Sequence, residues 1–260
     1  MHKMCSMLRS AVSKHSVMRP GCSHILLLVF LLLVCIMGVE ATAENEVSQQ
    51  QGNLTIQSLK TLIASEERLS LAKTLAETAG VEILRRFVEK DELYAKRLGF
   101  ESLSQVTDGK PVALPPFPVF RIGLTQLQSY DGNAAMLLAR KGVAQFVVPI
   151  TVEKQENALS AITVRLGGDK KSDKIIQWGS RNLIRQLSKR RGELGKDLAL
   201  FVIEIPAFNR LYLGYIRAPQ TVMLIPMSGV QASKGIVEQP IEEVFKALAV
   251  EARMASDDPR

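Results

Sequence analysis

The chain has 260 residues, 47% of them hydrophobic, with 33 basic against 26 acidic side chains and a formal charge of +7. Its three cysteines (Cys5, Cys22, Cys35) and three histidines (His2, His15, His24) all precede Val39. The remainder therefore excludes structural disulfides, cysteine-ligated metal, the common histidine-containing zinc sites, Ser-His-Asp and Cys-His nucleophiles and histidine acid–base catalysis.

The first element is a leader. Ile25 to Val39 is an uninterrupted apolar run, short of the ~20 residues that span a bilayer and within the ~7–15 of a signal-peptide core. Lys3, Arg9, Lys14 and Arg19 precede it with no acid before Glu40, and Ala41-Thr42-Ala43 follows as a small-x-small site. This order reads as a signal peptide over 1–43, with its apolar core at 25–39 and cleavage after Ala43. The expected location is extracytoplasmic, periplasmic or secreted; the alternatives are an N-terminal membrane anchor or an organelle lumen. Met18 offers a second start that gives a more compact leader. The part after Ala43 keeps 29 basic and 25 acidic residues, a net of +4. That balance describes a mixed surface and does not point to nucleic acid.

Residues 44–53 ("ENEVSQQQGN") are polar and aperiodic and read as a flexible tether. Asn53-Leu54-Thr55 is a glycosylation sequon in a eukaryotic secretory setting. Leu54 to Leu98 is helical by spacing: Leu59, Leu62, Ile63, Leu69, Ala72, Leu75, Ala76, Ala79, Ile83 and Phe87 repeat at three or four residues. Gly80 is a candidate split or kink. The helical region is taken as 54–110. The proline-rich Thr107–Phe120 then marks a change to an α+β domain over 111–255, as a lead into an edge strand or a segment that docks on a partner.

"PVFRIGL" alternates, with Val119, Arg121 and Gly123 on one face and Phe120, Ile122 and Leu124 on the other. "YDGN" is a turn, and Ala134 to Arg140 a short helix stopped near Gly142. "QFVVPITV" and "LSAITVRL" form a hairpin, and Pro149 predicts a bulge or an edge in the first strand. "KIIQW" follows a glycine-rich turn. "WGSRNLIRQLSKRRG" is a helix with Ser180 as N-cap and Gly192 as stop. "LALFVIEI", "RLYLGYI" and "TVMLIPM" are strands, Pro240 to Ala255 a closing helix, and 256–260 a frayed tail. The fold class is α+β, a mainly antiparallel sheet or sheets covered by helices and preceded by a long N-terminal helical segment. The strand–helix–strands order occurs twice, which suggests an internal duplication without residue-level similarity.

No cofactor or metal motif is present. "SLAK" (Ser70–Lys73) matches the S-x-x-K dyad spacing, but its companion motifs are missing. Glu153, Glu156 and Glu204 cannot be paired from spacing, and alternation puts Glu204 on a solvated face. "RLGGDKK" lacks the phosphate-loop pattern. Trp178, Tyr212 and Tyr215 could line a groove, although Trp178 reads more simply as a core anchor. Arg181, Arg185 and Lys189 fall four apart on one helix face, with Arg190 and Arg191 beside them, and form a candidate surface for an acidic protein or an anionic envelope component. Basic side chains there also complement a helix C-terminus.

The expectation is an exported, non-enzymatic accessory or interaction protein. Its contact surfaces would be the 54–98 helices and the 181–191 basic helix. The alternatives are an extracytoplasmic ligand-binding module of sensor type, and a Ser/Lys- or carboxylate-based hydrolase.

Overall fold

The computed structural model describes residues 55–256 except 90–91, 154–156, 168–171, 180, 196–197, 218–220 and 228–236. The expected leader, the tether, Asn53 of the sequon, the Ser180 cap and 257–260 of the tail lie outside the described residues. Contacts group Asn53–Arg260 as one compact unit.

The helical region begins with α1 (55–63), α2 (Glu66–Leu75), a π turn over Ala76–Gly80, α3 (Val81–Val88) and α4 (Glu92–Leu98). Leu59, Ile63, Ala72 and Ala76 are buried, as their spacing predicts. Beyond the π turn the stripe moves. Gly80, Leu84 and Val88 point inward where Ala79, Ile83 and Phe87 were expected. A π turn carries one extra residue, so every later side chain is carried forward by one position on the buried face. Gly80 is where the helix meets the sheet: a Cβ there would lie 2.7 Å from Ile162 Cδ1. A short helix α5 (Ser104–Thr107) follows.

The remaining elements are β1 (Pro111–Ala113), β2 (Phe117–Arg121), α6 (Leu124–Gln128), α7 (Ala134–Lys141), β3 (Gln145–Val152), β4 (Ser160–Arg165), β5 (Lys174–Trp178), α8 (Arg181–Leu194), β6 (Leu200–Ile205), β7 (Arg210–Arg217), β8 (Thr221–Pro226), β9 (Gln239–Pro240) and α9 (Ile241–Ser256). Among the described residues the strands form one sheet in the order β5-β4-β3-β2-β6-β7-β8-β9, with β1 also on β3. The protein is thus α+β with a mainly antiparallel sheet. The exception lies at its middle, where β2 and β6 run parallel, with Val119 opposite Val202 and Arg121 opposite Glu204. Each half of the sheet fans outward from this pair through antiparallel strands and ends in a helix, α8 or α9. The strand–helix–strands order does not recur in full, because β6 passes to β7 through a short 3-10 turn (Pro206–Phe208) where two helices, α6 and α7, separate β2 from β3.

The proline-rich run is woven into the sheet. β1 and β2 pair with successive parts of β3, Ala113 opposite Ile150 and Phe117 opposite Val147. Three residues, Leu114 to Pro116, therefore face two, Val148 and Pro149. The irregularity foreseen at Pro149 sits on the neighbouring strand, and β3 itself is interior, not an edge. The 110/111 transition is a change of element type within one unit, because the helices and the sheet share a core. β2 also ends sooner than alternation suggests, since Leu124 opens a helix. Helix α8 runs through Gly192, and Gly195, at φ +105°, lies just past its end.

Two apolar clusters lie on the two faces of the sheet. The larger joins Phe120, Phe146, Ile162 and Phe201 to residues of α1–α4, α6, α7 and α9. The smaller joins Phe117, Val119, Val202 and Leu213 to Ile184 and Leu187 of α8. No helix among the described residues is long and apolar enough to cross a membrane.

Candidate functional site

The basic helix is partly consumed by its own fold. Arg181 opens α8, and its side chain is not among those described. Arg185 and Lys189 are exposed. Lys189 approaches Glu193 at 3.8 Å and Arg190 reaches the same carboxylate at 2.8 Å. Arg191 turns inward: its guanidinium lies 3.9 Å from the centroid of the Phe117 ring and donates to the Pro115 carbonyl at 3.3 Å. Burial lowers the Arg191 pKa. The five residues thus share one helix but not one exposed surface.

The other candidates disperse. Ser70 is exposed on α2, and Lys73 pairs with Glu77 at 3.8 Å. Glu204 lies on the partly solvated face, 3.8 Å from Arg121 across the parallel pair. Glu153 sits beside Lys110 at 3.8 Å, and Glu156 is outside the described residues. Tyr212 and Tyr215 are buried in different clusters and line no common groove; burial raises the pKa of both hydroxyls. Among the described residues no group of three His, Cys, Asp or Glu side chains converges as a metal site would require.

An aromatic ledge forms around Phe87, which the spacing placed in the core. Phe87, displaced outward by the π turn, is 45% exposed, and Tyr94 on α4 is 39% exposed. Their rings stack at 5.9 Å with 17° between planes. Trp178, at the end of β5, meets Phe87 edge-on at 5.8 Å. Trp178 is half-buried against the larger cluster, so it is only in part the core anchor expected. Leu93, 53% exposed, lies beside Tyr94 on α4. Amphipathic spacing alone puts Phe87 inside; the glycine at position 80 is the one local signal that the register could change.

A concavity of about 470 Å³ lies between the loop after α6 and the outer face of α9. Tyr130, Gly132, Glu243, Lys246, Val250 and Arg253 line it. Glu242 ties its walls together, accepting from the Tyr130 hydroxyl at 2.7 Å and the Ala134 amide at 2.8 Å. Burial, followed by this carboxylate, raises the Tyr130 pKa well above the usual tyrosine range. Arg253 donates to the carbonyls of Gln128 and Tyr130, at 3.3 Å each. In comparisons with protein-family models, curated proteins and solved structures, nothing matches the chain.

Proposed function

We propose that the chain is an exported, non-enzymatic interaction protein that holds a partner polypeptide against the ledge of Phe87, Tyr94 and Trp178. The observation that carries this reading is the exposed, mutually stacked aromatic surface. Rings keep conformational entropy losses small and return apolar burial on contact, which is why aromatic side chains dominate binding hot spots. The lack of cysteine and histidine after Val39 removes the nucleophiles, acid–base groups and metal ligands that depend on those two residues. The dispersal of Ser70, Glu153 and Glu204 supports a non-catalytic role. In this reading Arg185 and Lys189 contribute at most a peripheral electrostatic term.

The test is affinity recovery from the protein's own compartment with wild type and the Phe87→Ser/Tyr94→Ser variant. The expected result is loss of the recovered partner from a protein that still unfolds cooperatively, its thermal midpoint lowered by only several degrees; equal recovery overturns the assignment. Export is tested by the N-terminal residue of the mature protein, expected at Glu44; an intact leader on a cytosolic protein removes that part of the reading.

The cleft beside α9 supports a second reading, a ligand-binding module of sensor type. Its volume lies within the ~300–1,000 Å³ of small-molecule sites. A thermal shift with a member of a metabolite panel, lost in Lys246→Ala, would favour it.

A further inference from the structure

We propose that the outer edge of β5 accepts an extended acidic segment of the partner as an added strand, a proposal that rests on the ledge being a protein-docking surface. β5 ends the sheet, and among the described residues it pairs only with β4. The Gly179 amide donates to the Ala161 carbonyl at 2.9 Å. In the alternating antiparallel ladder, Trp178 next to it then directs its N–H and C=O away from β4. Those groups are the template for another strand.

The side chains on this edge specify what the strand carries. Trp178 and Ile175 point to the helix-covered face, opposite Ile162 and Val164, and Trp178 continues into the Phe87–Tyr94 ledge. Arg165 and Lys174 stand directly opposite each other on the other face. Both are exposed, and no ion pair to either occurs among the described residues. Like charges directly opposite are destabilising in a sheet, and an acid placed beside them relieves the repulsion. An added strand would set apolar side chains against Ile175 and Trp178 and a carboxylate beside Lys174, with Arg165 one strand further in on the same face. A second copy of the chain fits less well, because joining two such edges doubles the cationic charge on one face. The edge lysine guards against self-pairing, and the register shift leaves Ile176 opposite no residue of β4, a bulge that an added strand must follow between Ile175 and Trp178.

Trp178 is the chain's only tryptophan, so its fluorescence reports on this edge. The full chain is titrated with a short capped peptide that alternates phenylalanine or valine with glutamate. Two matched peptides accompany it, one with lysine for glutamate and one with N-methylated alternate amides. We expect a saturable change in Trp178 emission with the glutamate peptide. Binding of each of the other two should be about tenfold weaker or more, about 1.4 kcal/mol. Arg165→Glu/Lys174→Glu should reverse the preference between acidic and basic peptides. Equal binding of the three peptides, binding of none, or tight binding of the N-methylated one overturns the proposal. The Arg165→Glu/Lys174→Glu variant is also compared with wild type in partner recovery. Recovery that needs Phe87 and Tyr94 but ignores the charge reversal leaves the ledge standing and removes the strand-addition edge.

Discussion

Helix α8 and the α3–α4 pair make opposite use of the side chains a sequence reader notices first. In α8 the conspicuous groups are cations, and three of the four whose side chains are described, Lys189, Arg190 and Arg191, meet acids, a ring or a carbonyl of the same chain. In α3–α4 the conspicuous groups are apolar: Phe87 was expected in the core, yet it faces outward together with Leu93 and Tyr94. Composition therefore misleads in both directions. A charge is available to a partner only if the fold has not already answered it, and an aromatic is core only if the helix register delivers it there. An exposed stacked aromatic pair is the stronger pointer to contact, because leaving apolar area in water forgoes about 25 cal/mol per Å².

This contrast can be broken by substitution. Leu187→Ala, in the fully buried face of α8, should cost about 2–5 kcal/mol in urea unfolding. Phe87→Ser should cost less, about 1–2 kcal/mol, because its ring is nearly half in solvent but rests on Tyr94 and Trp178, while abolishing partner recovery. Similar stability losses at the two sites would mean that the ledge is core after all. A smaller separation is expected between two arginines of one helix. Arg191→Ala removes a cation–π contact and a hydrogen bond and should cost about 1–2 kcal/mol, whereas Arg185→Ala should lie within about 0.5 kcal/mol. Equal effects would restore the single basic surface.

The least effect is expected at the α9 cleft. Tyr130→Phe keeps the edge-on packing against Phe245, with centroids 5.9 Å apart, but loses the bond to Glu242, worth about 1 kcal/mol. The Tyr130 pKa is raised in the folded state, so its contribution is complete below the unfolded tyrosine value near 10 and declines as pH climbs beyond it. The variant should match wild type in shape of the stability profile below about pH 9 and fall less steeply above pH 10. Because Tyr212 and Tyr215 are raised too, some alkaline decline should remain; an unaltered slope would show that neither burial nor Glu242 raises the Tyr130 hydroxyl in solution.

Much of the fold was legible in the residues. Alternation separated Phe201, Ile203 and Ile205 from Val202 and Glu204, and the structure divides them the same way. The strands after residue 111, the helix at Ala134 and the closing helix follow from period and punctuation, because those patterns record which side faces the core. The sheet order did not follow. The parallel meeting of β2 and β6 joins segments some eighty residues apart, and no local pattern encodes that partnership.

The candidate site was legible only as a region. The 54–98 helices were singled out, but Phe87 within them was assigned to the core stripe, and Leu93 and Tyr94 were not singled out. One extra residue at the π turn rotates everything after it, and a single glycine does not announce that. Trp178 was recognisable as an anchor, while its position at an open edge beside Phe87 depends on how β5 ends the sheet.

What the sequence by itself determined is the alternation of apolar and polar residues, and with it the α+β class and most elements, together with the chemistry that lacks of cysteine and histidine after Val39 remove. Those are properties of neighbouring residues and of composition. Tertiary structure alone decided which charges are answered, which aromatics stay in water and which strand is left at the edge. Each of these is set by contacts between distant segments, Arg191 with Phe117, Gly80 with Ile162 and Phe87 with Trp178.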